Sequence, residues 1–109
     1  MTDKIVIFSS CPSAGEAEKV ARGLVEKQLA ACVTVIPGAR SIYRWKGAVE
    51  EAGEHVLLIK SRRDLFPRLK EELAAMHSYE VPEILALAVV EGSPSYIDWI
   101  DKELKDSSE

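Results

Sequence analysis

Three segments of this chain are apolar at consecutive positions, and no other feature of the sequence constrains its fold as strongly. They are IVIF at residues 5–8, VLLI at 56–59 and ILALAVV at 84–90. A strand with one face in water alternates apolar and polar residues, whereas a strand covered on both faces is apolar throughout. The three segments therefore predict the strands of a sheet that is buried on both faces.

Helical patterns separate these strands. After the first strand, residues 4–10, Ser13 and Glu16 have the spacing of a capping box and predict the start of a helix. Ser93-Pro94 has the form of a cap followed by proline at the first position of a last helix. The positions predicted to face the core have helical spacing, and they are Ala17, Val20, Ala21, Leu24 and Val25 in the first helix and Ile97, Ile100 and Leu104 in the last.

The middle helix has its own boundary signals. Asp64 is predicted to cap it, and Pro67 fits its first turn. The pattern stops near Met76 or His77. Its predicted buried face consists of Phe66, Leu69 and Leu73.

A long β-rich segment, residues 31–45, is interrupted by Pro37-Gly38. Because proline cannot donate to a ladder, this strand should lie at a sheet edge and bend there. Lys46-Gly47 predicts a hairpin turn into a strand over 48–61. If residues 31–45 formed a straight strand, they would span about 50 Å, whereas a compact domain of this size is roughly 35 Å across. Either the hairpin projects and joins a neighbouring molecule, or the strand is shorter and residues 37–41 form a loop.

The order of elements is β-α-β-β-α-β followed by one more helix. This order predicts an α+β, ferredoxin-like fold, with an antiparallel sheet and two helices on one face. The last helix can cover only part of the opposite face. A second copy of the chain is the simplest cover for the rest, so the pattern predicts a homo-oligomer.

Composition narrows the function classes. The chain has 109 residues, which predicts one domain over 1–109 with a frayed tail from about 105. Fourteen basic against 18 acidic residues give a net charge of -4. This acidic balance argues against nucleic acid as a partner. The apolar run Ile5–Phe8 is too short for a signal peptide or a membrane span, which predicts a cytoplasmic protein without a membrane partner.

The two cysteines, Cys11 and Cys32, are too far apart in sequence for a C-x-x-C site, and both are expected to be thiols. Cys32 fits a small buried apolar residue in a strand. Cys11 lies between a strand end and a helix start, where a helix N-terminus lowers a thiol pKa. Cys11 is therefore a candidate reactive or metal-binding thiol, and the alternative is a partly exposed strand-end residue.

Two histidines complete the set of candidate ligands. His55 stands in a charged segment and is predicted to be solvated, whereas His77 stands at a helix C-terminus. There an imidazole can interact with the helix dipole and cap free carbonyls. It can also serve as one metal ligand, because soft and borderline metals prefer imidazole and thiol groups. No nucleophile, base and orienting group form a set, so an enzyme is not predicted.

Several segments together resemble the CutA family, which is named for divalent-cation tolerance. The most specific are LAACV at 29–33, SIYRWKG at 41–47 and HSYEVPEI at 77–84, and the resemblance covers nearly the whole chain. In this family the position of Ser78 is more often proline.

The resemblance implies a ferredoxin-like fold assembled as a homotrimer with long strands shared between subunits, tolerance of divalent metals, copper binding and no catalytic activity. It also implies copper ligands from a strand-end cysteine and from histidines just before the Ser78-Tyr79 pair; His77 matches one of these histidines, and Cys11 is the cysteine nearest to the family's strand-end position. The family's strand-end cysteine position holds Ser9, two residues before Cys11, and the histidine that would precede His77 is Met76.

Three functions remain after these observations. The first is a non-enzymatic, trimeric protein that binds copper or other divalent ions weakly or in a regulatory way. The second is a small-molecule sensor of the trimeric nitrogen-regulatory kind, with a ligand between subunits near Trp45, Tyr79 and Glu80. The third is an enzyme with Cys11 as nucleophile, and it is the least favoured because no oriented base accompanies that thiol.

Overall fold

The computed structural model describes residues 1–106, which form one antiparallel sheet and three α-helices. Residues 107–109, the end of the predicted tail, lie outside the described part, while Lys105 donates its backbone N–H to the Gln28 carbonyl at 3.0 Å. The elements are β1 (Lys4–Cys11), α1 (Ala14–Glu26), β2 (Cys32–Trp45), β3 (Ala48–Arg62), a short 3₁₀ turn (Arg63–Leu65), α2 (Phe66–Met76), β4 (Leu85–Ala88) and α3 (Pro94–Glu103).

The sheet has the strand order β2-β3-β1-β4, in which each neighbouring pair is antiparallel. This is the predicted ferredoxin-like arrangement, with β2 at an edge. The helix-covered face carries Ile7, Leu57 and Ile59, all fully buried. They form one core with Val20 and Leu24 of α1 and Leu69 and Leu73 of α2.

The helix starts only partly follow the local signals. Ser13 caps α1 as predicted, since its hydroxyl accepts the Glu16 backbone N–H at 3.2 Å. The prediction that Asp64 caps α2 is wrong, because Asp64 lies in the 3₁₀ turn and its carboxylate accepts a hydrogen bond from Arg62 at 2.7 Å.

Other helix predictions had mixed outcomes. Val25, predicted to be buried, is 40% exposed. Met76 ends α2 as predicted.

The long hairpin is continuous, so the alternative with a loop at residues 37–41 is wrong. The pairing of β2 with β3 shifts between Ile36 and Ala39, which is the predicted bulge at Pro37-Gly38. Lys46 and Gly47 have φ of 50° and 82°, the positive values that a tight two-residue hairpin turn requires. The molecule measures 44 Å along its longest axis against 26 and 22 Å along the others, because the hairpin extends beyond the body.

The second face of the sheet is apolar and only partly covered. Pairing places Phe8, Ile36, Leu85 and Leu87 on this face, and they are 37%, 44%, 58% and 50% exposed. The α3 helix covers the opposite end, where Asp101 pairs with the buried Lys4 at 3.0 Å. The premise of the oligomer prediction is therefore confirmed, and the number of subunits stays a prediction.

Candidate functional site

Three chain segments meet at one end of the sheet and bring Cys11, Glu16 and His77 together. Cys11 ends β1, Glu16 lies in the first turn of α1, and His77 is the residue that follows α2. One ligand atom from each side chain lies within 4.8 Å of the other two. We call these three residues the Cys11 cluster. It contains both residues that were predicted as metal ligands.

His77 already uses both ring nitrogens within the protein. Its side chain is fully buried. The Nε2 lies 2.6 Å from the Ser10 carbonyl oxygen, and Nδ1 accepts the backbone N–H of Tyr79 at 3.0 Å. An Nδ1 that accepts a hydrogen bond carries no proton, so the neutral ring is protonated at Nε2 and donates to Ser10. The ring thus joins the end of α2 to β1, rather than capping the carbonyls of its own helix.

Cys11 is a buried thiol and not the partly exposed residue that was the alternative. Its exposed fraction is 0%. Burial raises the pKa of Cys11 to about 11, with the negative charges of Glu16 and Glu54 adding to the rise. The prediction of a pKa lowered by the helix N-terminus is therefore wrong. At neutral pH Cys11 is a protonated thiol and a poor nucleophile.

Glu16 is the member of the cluster that the sequence analysis missed as a ligand. Its position matched a capping box, but its carboxylate accepts the backbone N–H of Ser78 at 3.2 Å, and its Oε2 lies 3.4 Å from His77 Nδ1. Burial raises the pKa of Glu16, but the hydrogen bonds from Ser78, the charge of His77 when its ring is protonated and the charge of Lys19 outweigh it and hold the pKa below its ordinary value. The carboxylate is therefore ionised at neutral pH.

The donor set fits a soft or borderline cation. A thiolate, an imidazole and a carboxylate suit copper or zinc better than magnesium or calcium, which prefer oxygen alone. Among residues 1–106, this is the only group of three or more histidine, cysteine and acidic side chains with ligand atoms this close together. Its chemistry matches the sequence prediction of a metal site with one thiol and one imidazole.

The other candidate ligands lie elsewhere or face other groups. His55 pairs with Cys11 across the sheet, and its Nδ1 is buried without a hydrogen-bond partner, so the prediction of a solvated side chain is wrong. The Met76 sulfur lies beside Gly23, about 10 Å along the α1 axis from Glu16. Cys32 is half-buried, with its sulfur 3.9 Å from the Lys60 ammonium.

A cleft of about 510 Å³ opens next to the Cys11 cluster, between the hairpin and the loop that follows α2. We call it the acidic cleft. Trp45, Tyr79 and Glu80, which were predicted to surround a ligand, all line it. Its walls carry three aromatic rings and four carboxylates, from Tyr43, Trp45 and Tyr79 and from Glu50, Glu54, Glu80 and Glu83.

One hydrogen-bonded pair, a half-buried tyrosine and a buried glutamate, fixes the wall of the acidic cleft. The Tyr79 hydroxyl donates to Glu54 at 3.0 Å, and Glu54 is 6% exposed. Burial raises the pKa of Tyr79 to about 12, and the bond to Glu54 contributes to the rise. Tyr79 therefore connects the cleft to the Cys11 cluster, since its backbone N–H is bonded to His77.

Comparison with known proteins decides the family. The family model described as CutA1 divalent ion tolerance protein matches residues 5–103. The chain belongs to the CutA1 family. Residues 1–4 and 104–109 lie outside the match.

Relatives support the CutA1 assignment. The divalent-cation tolerance protein CutA of Thermus thermophilus is 48% identical over 95 residues, which are 87% of this chain and 92% of that protein. The chloroplastic protein CutA of Arabidopsis thaliana is 40% identical over 96 residues, 88% of this chain, and the match spans only 53% of that longer protein.

A solved CutA structure has the same fold. The crystal structure of CutA from Xylella fastidiosa superposes with a TM-score of 0.93 at 43% identity, covering 95% of this chain and all of the other. The ferredoxin-like fold predicted from the sequence is thus confirmed. Within the described residues, no helix is both long enough and apolar enough to cross a membrane.

Proposed function

We propose that this chain is a non-enzymatic CutA1 homotrimer that binds copper or another divalent cation weakly or in a regulatory way, through Cys11, Glu16 and His77. The observation that carries the proposal is the convergence of a thiol, a carboxylate and an imidazole within 4.8 Å. The names of the relatives, which refer to tolerance of divalent cations, point to the same class of ligand.

The geometry favours modest affinity. A metal must displace the proton of a thiol whose pKa is about 11. It must also take the Nδ1 lone pair of His77, which the Tyr79 N–H occupies. Both steps oppose binding, while the ionised Glu16 favours a cation. A site of this kind exchanges its metal, as regulatory binding requires.

Assembly as a trimer is supported by the two features that remain open in one chain. The second face of the sheet exposes Phe8, Leu85 and Leu87, and the projecting hairpin exposes Ile42 and Val49 by 67% and 66%. Neighbouring exposed apolar side chains of this kind mark an interaction surface. A second and third copy of the same chain would cover it within a closed symmetric ring.

We also propose that residues 1–109 act as a single domain in the cytoplasm. Cys11 and Cys32 are both free thiols, which suits a reducing compartment. Cell fractionation of the native protein tests the location, and recovery in an oxidising compartment would contradict it.

Copper titration tests the metal proposal. Copper(I) and zinc(II), each supplied from a chelator of known affinity, should be taken up by the wild type at pH 7.5 and far less well at pH 5.5. Cys11→Ser, His77→Ala and Glu16→Gln should each weaken uptake. The chain offers a matched control, because Cys32→Ser removes the other thiol, which lies beside Lys60 and away from the cluster.

A comparison of metal affinity between the wild type and the three cluster variants shows which side chains are ligands. If the three cluster variants bind as tightly as the wild type, the metal proposal is wrong. Because His77 is buried, circular dichroism must show that its variant is folded. Glu16→Gln keeps the test decisive if that variant does not fold, since its carboxylate is partly exposed.

A small-molecule sensor is the second candidate function. The acidic cleft favours it, since Trp45, Tyr79 and Glu80 share one cavity. Its volume falls within the range of about 300 to 1,000 Å³ that is common for ligand pockets. Native mass spectrometry of the protein purified without chelator would detect a retained metabolite and would count the subunits.

A further inference from the structure

The acidic cleft has an ordered arrangement of rings and carboxylates on its hairpin wall. Tyr43 pairs directly with Glu50 across the two strands, and Ala39 pairs with Glu54. Alternate residues share a face, so Tyr43 and Trp45 form a column on β2 beside Glu50 and Glu54 on β3. The regular hairpin thus holds the two columns at the spacing of neighbouring strands.

The opposite wall, from the loop that follows α2, repeats the same chemistry. It adds Tyr79 with Glu80 and Glu83. Among the residues from 1 to 106, no lysine, arginine or histidine lines the cleft. Within residues 1–106, Glu50, Glu80 and Glu83 have no ion-pair partner. The negative charge that these walls share is therefore not neutralised by the described residues.

The spacing of these carboxylates does not suit a single metal ion. A metal ion needs ligand atoms that converge, and the described residues of the acidic cleft include no group of three such atoms within the distance that the Cys11 cluster meets. Carboxylates distributed over about 510 Å³ instead match positive charge that is itself distributed along a molecule.

The aromatic rings point to an organic cation. Ammonium groups are attracted to the faces of tryptophan and tyrosine rings. One such contact is present within the chain, where the Lys46 ammonium lies 6.0 Å from the centroid of the Trp45 ring. Buried Glu54, fixed by the Tyr79 hydroxyl, adds a carboxylate whose orientation is set before any ligand arrives.

We propose that the acidic cleft binds an aliphatic amine with two or more ammonium groups, with its charges beside Glu50, Glu54 and Glu80 and its alkyl chain against Tyr43, Trp45 and Tyr79. The inference deepens the sensor function proposed above, by naming its ligand class, and it would stand if the metal proposal failed. A polyamine and the basic side chains of a peptide share this chemistry, and the probes below separate them.

Calorimetric titration of the 109-residue protein tests the inference. The probes are 1,5-diaminopentane and spermidine, with the matched diol 1,5-pentanediol and the dicarboxylate glutarate as controls for charge. A short oligolysine peptide tests the second source of ammonium groups. Only the cationic probes should bind, and their affinity should fall with added salt, because partly exposed charges are screened.

Two exposed carboxylates provide the variants. Glu50→Gln and Glu80→Gln should each weaken diamine binding by about twofold to fivefold, the range expected for exposed charge pairs. Glu26→Gln, on the exposed side of α1, removes the same charge away from the cleft and should leave the affinity unchanged.

The outcomes are distinct. Binding of the diamine that the two cleft variants weaken and the control does not supports the inference. Binding of oligolysine without either amine moves the ligand to a basic peptide and overturns the small-amine assignment. Binding of glutarate alone overturns the cation class but keeps the sensor function. Binding of no probe overturns the amine inference, and the sensor function is then decided separately by whether native mass spectrometry finds a retained metabolite.

Discussion

The raised pKa of Cys11 predicts that the folded protein loses stability in alkaline solution. Below about pH 9 the thiol is protonated in the folded and unfolded chains alike. Between pH 9 and 11 the unfolded chain loses this proton while the folded chain keeps it, so the free energy of unfolding falls. A rise of the pKa from 9.0 to about 11 corresponds to at most about 3 kcal/mol per subunit, at 1.36 kcal/mol per pH unit.

Cys11→Ala isolates this contribution. Urea unfolding of the wild type and of the variant should be measured at intervals from pH 8 to 11, at one fixed protein concentration. The loss of the sulfur lowers the variant's stability by an amount that does not depend on pH, whereas its alkaline slope should be smaller than that of the wild type. Tyr79, whose pKa is raised to about 12, titrates in both proteins and cancels in the difference.

Parallel curves for the two proteins from pH 8 to 11 would refute the reasoning, because the fold would then not hold the thiol protonated. Cys32→Ser is the control for the loss of a thiol elsewhere in the sheet. In that variant Cys11 is the only thiol, and its ultraviolet thiolate absorbance should titrate near pH 11.

Three further predictions concern assembly and the hairpin. Light scattering during gel filtration should give about three times the chain mass of 12.0 kDa, and a clean monomer at micromolar concentration would contradict the trimer. Trp45→Ala should weaken assembly more than it unfolds the subunit, since Tyr43 and Trp45 share a face near the proposed subunit contact. If subunit dissociation is unchanged and only the melting temperature of the monomer falls, the two rings belong to the core of a single chain. Gly47→Ala should cost about 1 kcal/mol because φ is 82° there, and an unchanged melting temperature would show that the turn relaxes.

Sequence patterns predicted most strands and turns correctly, because each of these elements is determined mainly by residues that are adjacent in sequence. The apolar runs gave three strands, and Pro37-Gly38 gave the bulge because proline cannot continue a ladder. Asp64 shows where a local pattern fails. Its carboxylate is bonded to Arg62, so it does not reach the helix that follows. The strand predicted at 84–90 is limited to Leu85–Ala88, where pairing with β1 exists.

Only part of the candidate site could be predicted, because the groups that set its charges and pKa values come from segments far apart in sequence. Cys11 and His77 could be named by residue type, and the structure brings them together. Glu16 was assigned to a local cap, yet the group it binds, Ser78, is contributed 62 residues later. Likewise, a helix N-terminus alone suggested a low thiol pKa for Cys11. Burial against β3 and the carboxylates of Glu16 and Glu54 reverse that direction, and no spacing in the sequence encodes them.

Tyr79 links the two proposed sites and predicts that they oppose each other. Its backbone N–H bonds to His77 Nδ1, which a metal would have to take, and its hydroxyl bonds to Glu54 in the acidic cleft. A metal at the Cys11 cluster would release the Tyr79 backbone and add positive charge near the cleft. It should therefore weaken diamine binding, by about fivefold if the coupling is near 1 kcal/mol, and the diamine should weaken metal binding by the same factor.

Diamine titration with and without saturating zinc measures the first factor, and zinc titration with and without the diamine measures the second. Cys11→Ser should keep diamine binding and lose its dependence on zinc. Equal diamine affinities with and without bound zinc in the wild type would show that Tyr79 does not transmit the change.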